Sequence, residues 1–341
     1  MGYLRDAWYV AGWVDDIGDA PISVTIIDQP IVLWRADRKL VAFEDRCVHR
    51  LAPLSLGRCE GASLRCMYHG FRFGPDGIAL EIPGQEVIPP SARVRAFPVV
   101  ERHSWAWIWM GDPARADESL IPPAVGLDDP DWLLGRGSLD YDAEARLIND
   151  NLLDFSHLTY VHPTTLGVSA SFSEERPRLV TLDRGVRFER WVLNSRGLNS
   201  KSDALLDSWS TYDFLVPGVL LMITASFPAG TASASNFERP DYARAVSGVT
   251  FTNQAVTPTG EKTASYFFSW GPHREHGDEA TRAMLMELAD RAFNEDKTMI
   301  EAQQRTIDRT PNPRILPSAH DRGVTIYNSI VKRLMAQEEA D

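Results

Sequence analysis

All three cysteines of the 341-residue chain, and two of its eight histidines, fall within residues 47–70, CVHRLAPLSLGRCEGASLRCMYHG. Cys47 stands two residues before His49, and Cys66 stands three before His69. A thiolate and an imidazole on each of two loop tips make a four-ligand set suited to a soft or borderline metal. Cys59 lies between the pairs, fits no ligand position and reads as a free thiol near the surface. A second constellation sits in NDNLLDFSHLTYVHPTTLG, residues 149–167, where Asp154, His157 and His162 are three and five apart. At helical spacing Asp154 and His157 share a face, and His162 closes the segment just before Pro163. Two histidines so placed can take adjacent corners of one metal ion.

A zinc finger puts its cysteines together in one knuckle and its histidines together in the other. Here each knuckle carries one of each, so the cysteines can bind one metal and the histidines another. That division is the ligation of a Rieske [2Fe–2S] cluster, where two histidines replace two cysteines on one iron and raise its potential. A tetrahedral structural zinc is the competing use of the same four side chains. A Rieske cluster moves one electron, and an electron donor needs an acceptor. The His157/His162 segment has an acceptor's pattern: two histidines which, with one carboxylate from elsewhere, complete an iron triad with positions open for O2. On the residues alone, Asp290, Glu295 and Asp296 serve equally well as that carboxylate.

Residues 1–112 must position the first set. They read as short strands (ISVTIID, IVLWRAD, LVAFED, VRAFPVVER, WAWIWMG) broken by turns at 28–30, 74–77 and 83–84, an all-β unit. Residues 113–137 shift to Pro, Asp and Ala and read as a connection, and residues 138–341 as the second domain. That domain opens with a helical pattern over 144–162, continues through strand-like segments and closes with a helical stretch over about 278–307. The fold class expected is therefore α+β: an all-β domain, then an antiparallel sheet flanked by helices. A formal charge of −12 argues against a nucleic-acid surface, and no apolar run approaches the length of a membrane span. The N-terminal residues lack a signal-peptide core, and three cysteines make a poor disulfide framework, so a reducing cytoplasm is expected. A GxGxxG nucleotide fingerprint is absent, as is a second ferredoxin-type cysteine set.

Both constellations, in this order, resemble those of the oxygenase component of Rieske non-haem iron oxygenases. The resemblance is to the short, single-subunit group that includes vanillate O-demethylase, dicamba O-demethylase and toluenesulfonate methyl-monooxygenase. It extends to DAWYVAGW, EIPGQE, FPVVER, IWMGDPARAD and FNEDKTMIEAQQ. The resemblance implies a helix-grip-like catalytic domain, with Cys47, His49, Cys66 and His69 on the cluster. It also implies His157, His162 and Asp296 on a mononuclear Fe(II). Asp154 matches a carboxylate that, in a homotrimer, bridges His69 of a neighbouring subunit and His157. The reaction implied is monooxygenation with O2, on electrons from NAD(P)H passed by a separate reductase or ferredoxin. The substrate expected is a small aromatic compound, oxidised at an aryl methyl ether or an aryl methyl group. A ring-hydroxylating dioxygenase is one alternative; a Rieske electron carrier or iron-binding ligand sensor is another. Asn151, Phe155, Gln254, Phe268, Trp270 and Glu287 are the substrate-pocket expectations, with Arg274 and His273 as anchors for a substrate carboxylate.

Overall fold

The computed structural model describes residues 2–166, 172, 176–195 and 205–340. They form two compact units, one of residues 1–121 with 257–261, the other of residues 122–256 with 262–341. Among the described residues no helix is long and apolar enough to cross a membrane.

The first unit is built from eleven strands in three antiparallel sheets. One sheet joins β1 (Trp8–Trp13), β11 (Trp105–Trp109) and β10 (Val99–Arg102). A second orders β2 (Ile22–Ile26), β3 (Gln29–Ala36), β4 (Lys39–Glu44) and β9 (Ala96–Phe97). The third orders β5 (Arg58–Glu60), β6 (Ser63–Arg65), β7 (Arg72–Phe73) and β8 (Ala79–Glu81). Aromatic and β-branched residues favour these pleated surfaces. Trp34, Phe43, Leu54, Leu64 and Phe73 fill a core that Cys47 and Cys66 also enter. Cys59, on β5, packs against that core.

The second unit is a seven-stranded sheet in the order β12-β18-β17-β16-β15-β14-β13. Its members are β12 (Gly135–Tyr141), β13 (Arg178–Leu182), β14 (Gly185–Ser195), β15 (Leu206–Leu215), β16 (Val219–Pro228), β17 (Ser247–Gly260) and β18 (Thr263–Pro272). The pairs β12/β18, β13/β14, β14/β15, β15/β16 and β16/β17 all run antiparallel. β12 begins inside the stretch whose composition reads as a connection. The expected helix over 144–162 is divided: α1 (Ala145–Leu153) stops, a 3-10 turn covers Phe155–His157, and a single turn, α2 (Leu158–Val161), follows. The break is Asp154, whose φ of −131° and ψ of 95° are extended, and whose carboxylate caps the next turn through Ser156 N at 2.9 Å. Asp154 and His157 therefore do not share one continuous helical face.

The long helix α3 (Glu279–Arg309) starts at Asp278, which accepts from Thr281 N at 2.9 Å. Its buried stripe is Leu285, Ala289, Ala292, Asp296, Ile300 and Gln304, the spacing of one helical face. Phe293, on α3, packs edge-on against Tyr266 and Phe268 of β18, so α3 lies on the sheet face that those rings share. A last helix, α4 (Arg322–Ala340), buries Gly323, Tyr327 and Ile330. This is the α+β architecture expected, all-β first and antiparallel sheet with helices second.

Candidate metal centres

The two cysteine–histidine loops share one backbone design. Cys47 N donates to Ala52 O and Leu51 N donates to Cys47 O; Cys66 N donates to Phe71 O and Gly70 N donates to Cys66 O. Each turn closes on a left-handed residue, Leu51 at φ +59° and Gly70 at φ +81°. At Gly70 a Cβ would also lie 2.8 Å from Pro83 Cγ. Arg65 ties the second loop down: its Nη1 donates to Gly70 O at 2.8 Å, and its other nitrogens pair with Glu60 and Glu81. Asp45 ties the first, accepting from Ser55 N and Oγ and from Ser23 Oγ.

Those loops bury both cysteines and expose both histidines. The His49 and His69 rings stand 4.4 Å apart, and His49 stacks on Phe71 at 4.9 Å. Burial pushes the Cys47 thiol up to about 11, with the His49 backbone opposing and nearby Cys66 adding. Two inward sulfurs in contact, capped by two outward imidazoles, suit a cluster whose thiolate iron is inside and whose imidazole iron is at the surface.

In the second unit His157, His162 and Asp296 offer ligand atoms that all lie within 4.8 Å of one another. Asp296 Oδ1 is 3.4 Å from His157 Nε2 and 3.2 Å from His162 Nε2. The sequence brings them together by three devices. The Asp154 break turns His157 back, so that its Nδ1 donates to the Asp154 carbonyl at 2.5 Å and its Nε2 keeps a lone pair. His162 Nδ1 donates to Glu295 Oε2 at 2.7 Å, and Glu295 Oε1 accepts from Thr165 Oγ1 at 2.6 Å. Asp296 rides the buried stripe of α3.

Fit to a metal can be tested on His162. With Nδ1 committed as donor, its buried Nε2 lone pair faces Asp296 Oδ1 without a hydrogen-bond partner. Two lone pairs aimed at one point repel unless a cation lies between them. Burial alone would lower the His162 pKa, but Asp296 and Glu295 outweigh it and raise it. Burial likewise opposes ionisation of Asp296, yet the two imidazoles hold its carboxyl below the ordinary value. The site is built for positive charge, and two imidazoles with one carboxylate are the donor set of a non-haem ferrous ion.

Glu295 and Asp296 are thus separated in role: Asp296 faces the shared point, and Glu295 orients His162 from behind. Asp154 meets His157 through its carbonyl, while Oδ1 of its carboxylate accepts from Ser156 N. Asn151 Nδ2 lies 3.1 Å from Asp296 Oδ1 and 3.3 Å from His157 Nε2, beside the triad. Phe155 stacks on Tyr212 at 4.6 Å, near His157. Gln254, Phe268 and Trp270 are buried; Gln254 accepts from Tyr266 OH at 2.7 Å and Trp270 Nε1 donates to Thr250 Oγ1 at 3.1 Å. Glu287 does not reach the pocket. It is exposed, nine residues from Asp296 and so about 180° around the helix. His273 is also displaced: it packs edge-on against Trp132, which packs on Phe251, and Arg274 is exposed.

Comparison with known proteins agrees with this geometry. Residues 7–98 match the Rieske [2Fe-2S] domain, and residues 141–337 match the vanillate O-demethylase oxygenase C-terminal domain. A putative toluene-4-sulfonate monooxygenase system iron-sulfur subunit of Comamonas testosteroni is 40% identical, over 98% of each chain. The vanillate O-demethylase oxygenase subunit of a Pseudomonas strain is 31% identical, over 99% of this chain and 96% of that one. A crystal structure of dicamba monooxygenase with 3,6-dichlorosalicylic acid bound superposes with a TM-score of 0.89 at 28% identity, covering 100% of both chains. A ferrous ion and a [2Fe–2S] cluster, when bound, supply O2 activation and the electron it consumes. The chain belongs to the Rieske non-haem iron monooxygenases, as the oxygenase component of a multicomponent system.

Proposed function

We propose that this oxygenase oxidises a methyl or methoxy substituent of a small aromatic compound, with His157, His162 and Asp296 as iron ligands and Cys47, His49, Cys66 and His69 as cluster ligands. The observation that carries the reading is the buried His162 Nε2 facing Asp296 Oδ1 with no hydrogen-bond partner, in a chain 40% identical to a toluenesulfonate monooxygenase subunit. The overall balance for an aryl methyl group is ArCH3 + O2 + 2e− + 2H+ giving ArCH2OH + H2O. For a methoxy group the hydroxylated carbon collapses to phenol and formaldehyde with the same consumption of O2 and electrons.

The chain's own residues set the conditions for that chemistry. Asp154 O and Glu295 fix the two imidazoles with their lone pairs inward, and Asn151 braces Asp296 by a hydrogen bond. Phe155, Tyr212 and Phe268 offer aromatic surface to a ring and exclude water from it. The proposal includes a cytoplasmic homotrimer in which one subunit's cluster serves the next subunit's iron, with Asp154 between them.

The test is anaerobic iron and sulfide analysis with EPR of the reduced protein, followed by turnover of methyl- and methoxybenzoates and of 4-toluenesulfonate with a reductase. His157→Ala and Asp296→Asn should each abolish product while leaving the cluster signal intact. Full electron transfer to an acceptor with no oxygenated product, in the wild type as in the variants, would make the chain a carrier instead. Zinc without sulfide would remove the cluster assignment, and sedimentation decides the trimer.

A further inference from the structure

The sheet face under α3 is ordered in rows that cross the strands. One row runs Phe188, Tyr212, Met222, Thr252 in register, with Phe268 opposite Gly137 at its far side. Phe155 stacks on Tyr212, and Phe293 packs on Phe268 at 4.8 Å, so this row lies against the segments that carry His157 and Asp296. It is largely aromatic and apolar. The next row along runs Arg190, Ser210, Thr224, Thr250 in register, with Trp270 opposite Gly135. Rows two residues apart on one face are roughly 7 Å apart, about the span of a benzene ring with a substituent at each end.

That second row is polar in a place where a sheet core is ordinarily apolar. Arg190 is only 9% exposed, a permanent charge carried into the second unit's interior. Its guanidinium lies 4.0 Å over the Phe172 ring and donates to Phe172 O at 3.2 Å. Thr224 and Thr250 share a hydroxyl bond at 2.8 Å, and Trp270 donates to Thr250. Ser210, Met222 and Thr224 are half-buried although they sit on central strands, so solvent reaches them in part.

Resting on the reading of this unit as an aromatic oxygenase, we propose that Arg190, with the hydroxyls of Ser210 and Thr224, anchors the acid group of an aromatic sulfonate or carboxylate. The ring then lies over Tyr212, Met222 and Phe268, and the substituent at its other end is presented to the metal ligands. A planar fork of N–H donors suits a three- or two-oxygen anion, and adjacent hydroxyls complete its hydrogen bonds in a site of low dielectric. Arg190 takes the place assigned to Arg274 and His273 by sequence.

The experiment titrates the holoenzyme, cluster and Fe(II) loaded, without oxygen, against three ring-matched ligands: 4-methylbenzenesulfonate, 4-methylbenzoate and neutral 4-methylacetophenone. Calorimetry of the wild type should show at least one anion binding more than about tenfold tighter than the ketone. Arg190→Gln should weaken that anion about 100-fold, the scale of a lost charge-assisted pair, and leave the ketone within about threefold. Arg190→Lys, which keeps the charge without the fork, should weaken the anion about tenfold. Equal loss for anion and ketone in Arg190→Gln overturns the proposal, because Arg190 then only braces the fold. Equal affinity of the wild type for all three ligands overturns it as well. If Arg190→Gln loses its cluster absorbance, the Arg190→Lys and wild-type titrations decide, and undiminished anion binding in Arg190→Lys counts against the anchor. The two acids distinguish sulfonate from carboxylate. A loaded wild type that oxidises none of these rings with a competent reductase refutes the functional reading itself, a different outcome from turnover without charge selectivity.

Discussion

Glu295 reaches no metal position, yet it should control how tightly iron is held. Its carboxylate accepts from His162 Nδ1 at 2.7 Å and from Thr165 Oγ1 at 2.6 Å, and His162 is fully buried. In Glu295→Ala the imidazole loses its orienting partner and can rotate or take the other tautomer, so Nε2 no longer presents a fixed lone pair. Loss of such a partner weakens metal affinity about 10- to 100-fold. In free energy that is about 1.4–2.8 kcal/mol, the range of one hydrogen bond to a charged group. Glu295→Gln keeps an acceptor oxygen of the same reach but not the charge, and should lose about tenfold or less. Thr165→Val, which only frees the far oxygen of Glu295, should lose a few-fold. The assay is anaerobic Fe(II) titration against a competing chelator, with the Rieske EPR signal as control for folding. A wild-type Fe(II) dissociation constant in Glu295→Ala would refute the argument, as would equal loss in Ala and Gln accompanied by a disturbed cluster signal.

Three further outcomes are expected. A Cβ at Gly137 would lie 2.3 Å from Phe268 Cζ, so Gly137→Ala should cost about 1–3 kcal/mol in stability and change KM by displacing that ring; unchanged melting temperature and KM would exclude the contact. Burial pushes the Asp150 carboxyl from 3.8 up to about 6, against the pull of Arg146 at 3.0 Å. The fold therefore favours its protonated form: that stabilisation is complete below pH 3.8 and is lost as pH rises through about 6. Asp150→Asn should melt several degrees above wild type at pH 7.5, reflecting at most about 3 kcal/mol, with the gap closing toward pH 4; a pH-independent gap would count against this. Cys59 packs on the first unit's core and its thiol is raised by burial, so Cys59→Ala should retain full iron and sulfide content, and loss of sulfide would implicate it in the cluster.

The two candidate ligand sets are largely legible in the sequence, because side chains delivered by one loop or one turn must be close in the chain. Cys47/His49, Cys66/His69 and His157/His162 are each such local pairs, and their mixed knuckles set them apart from a zinc finger. Asp154 shows the limit of that legibility. Its place between Leu153 and Phe155 fits a helical pattern, but a short carboxylate that can cap the next N–H competes with the helix and breaks it. Glu287 could have been set aside on helical spacing alone, since it lies opposite the stripe that carries Asp296.

The other decisions needed the tertiary structure. Glu295 and Asp296 are neighbours on one helix, and only the placement of α3 against His162 shows which faces the metal point and which stands behind the imidazole. Arg190 left one faint mark, the alternation of Val186, Phe188 and Arg190 along β14, which puts a charge on a face otherwise apolar. Its meaning depends on Ser210 and Thr224, which reach it only across three hydrogen-bonded strands. A sheet joins residues far apart in the chain through register, and register is set by the packing of the whole face rather than by any one strand's sequence.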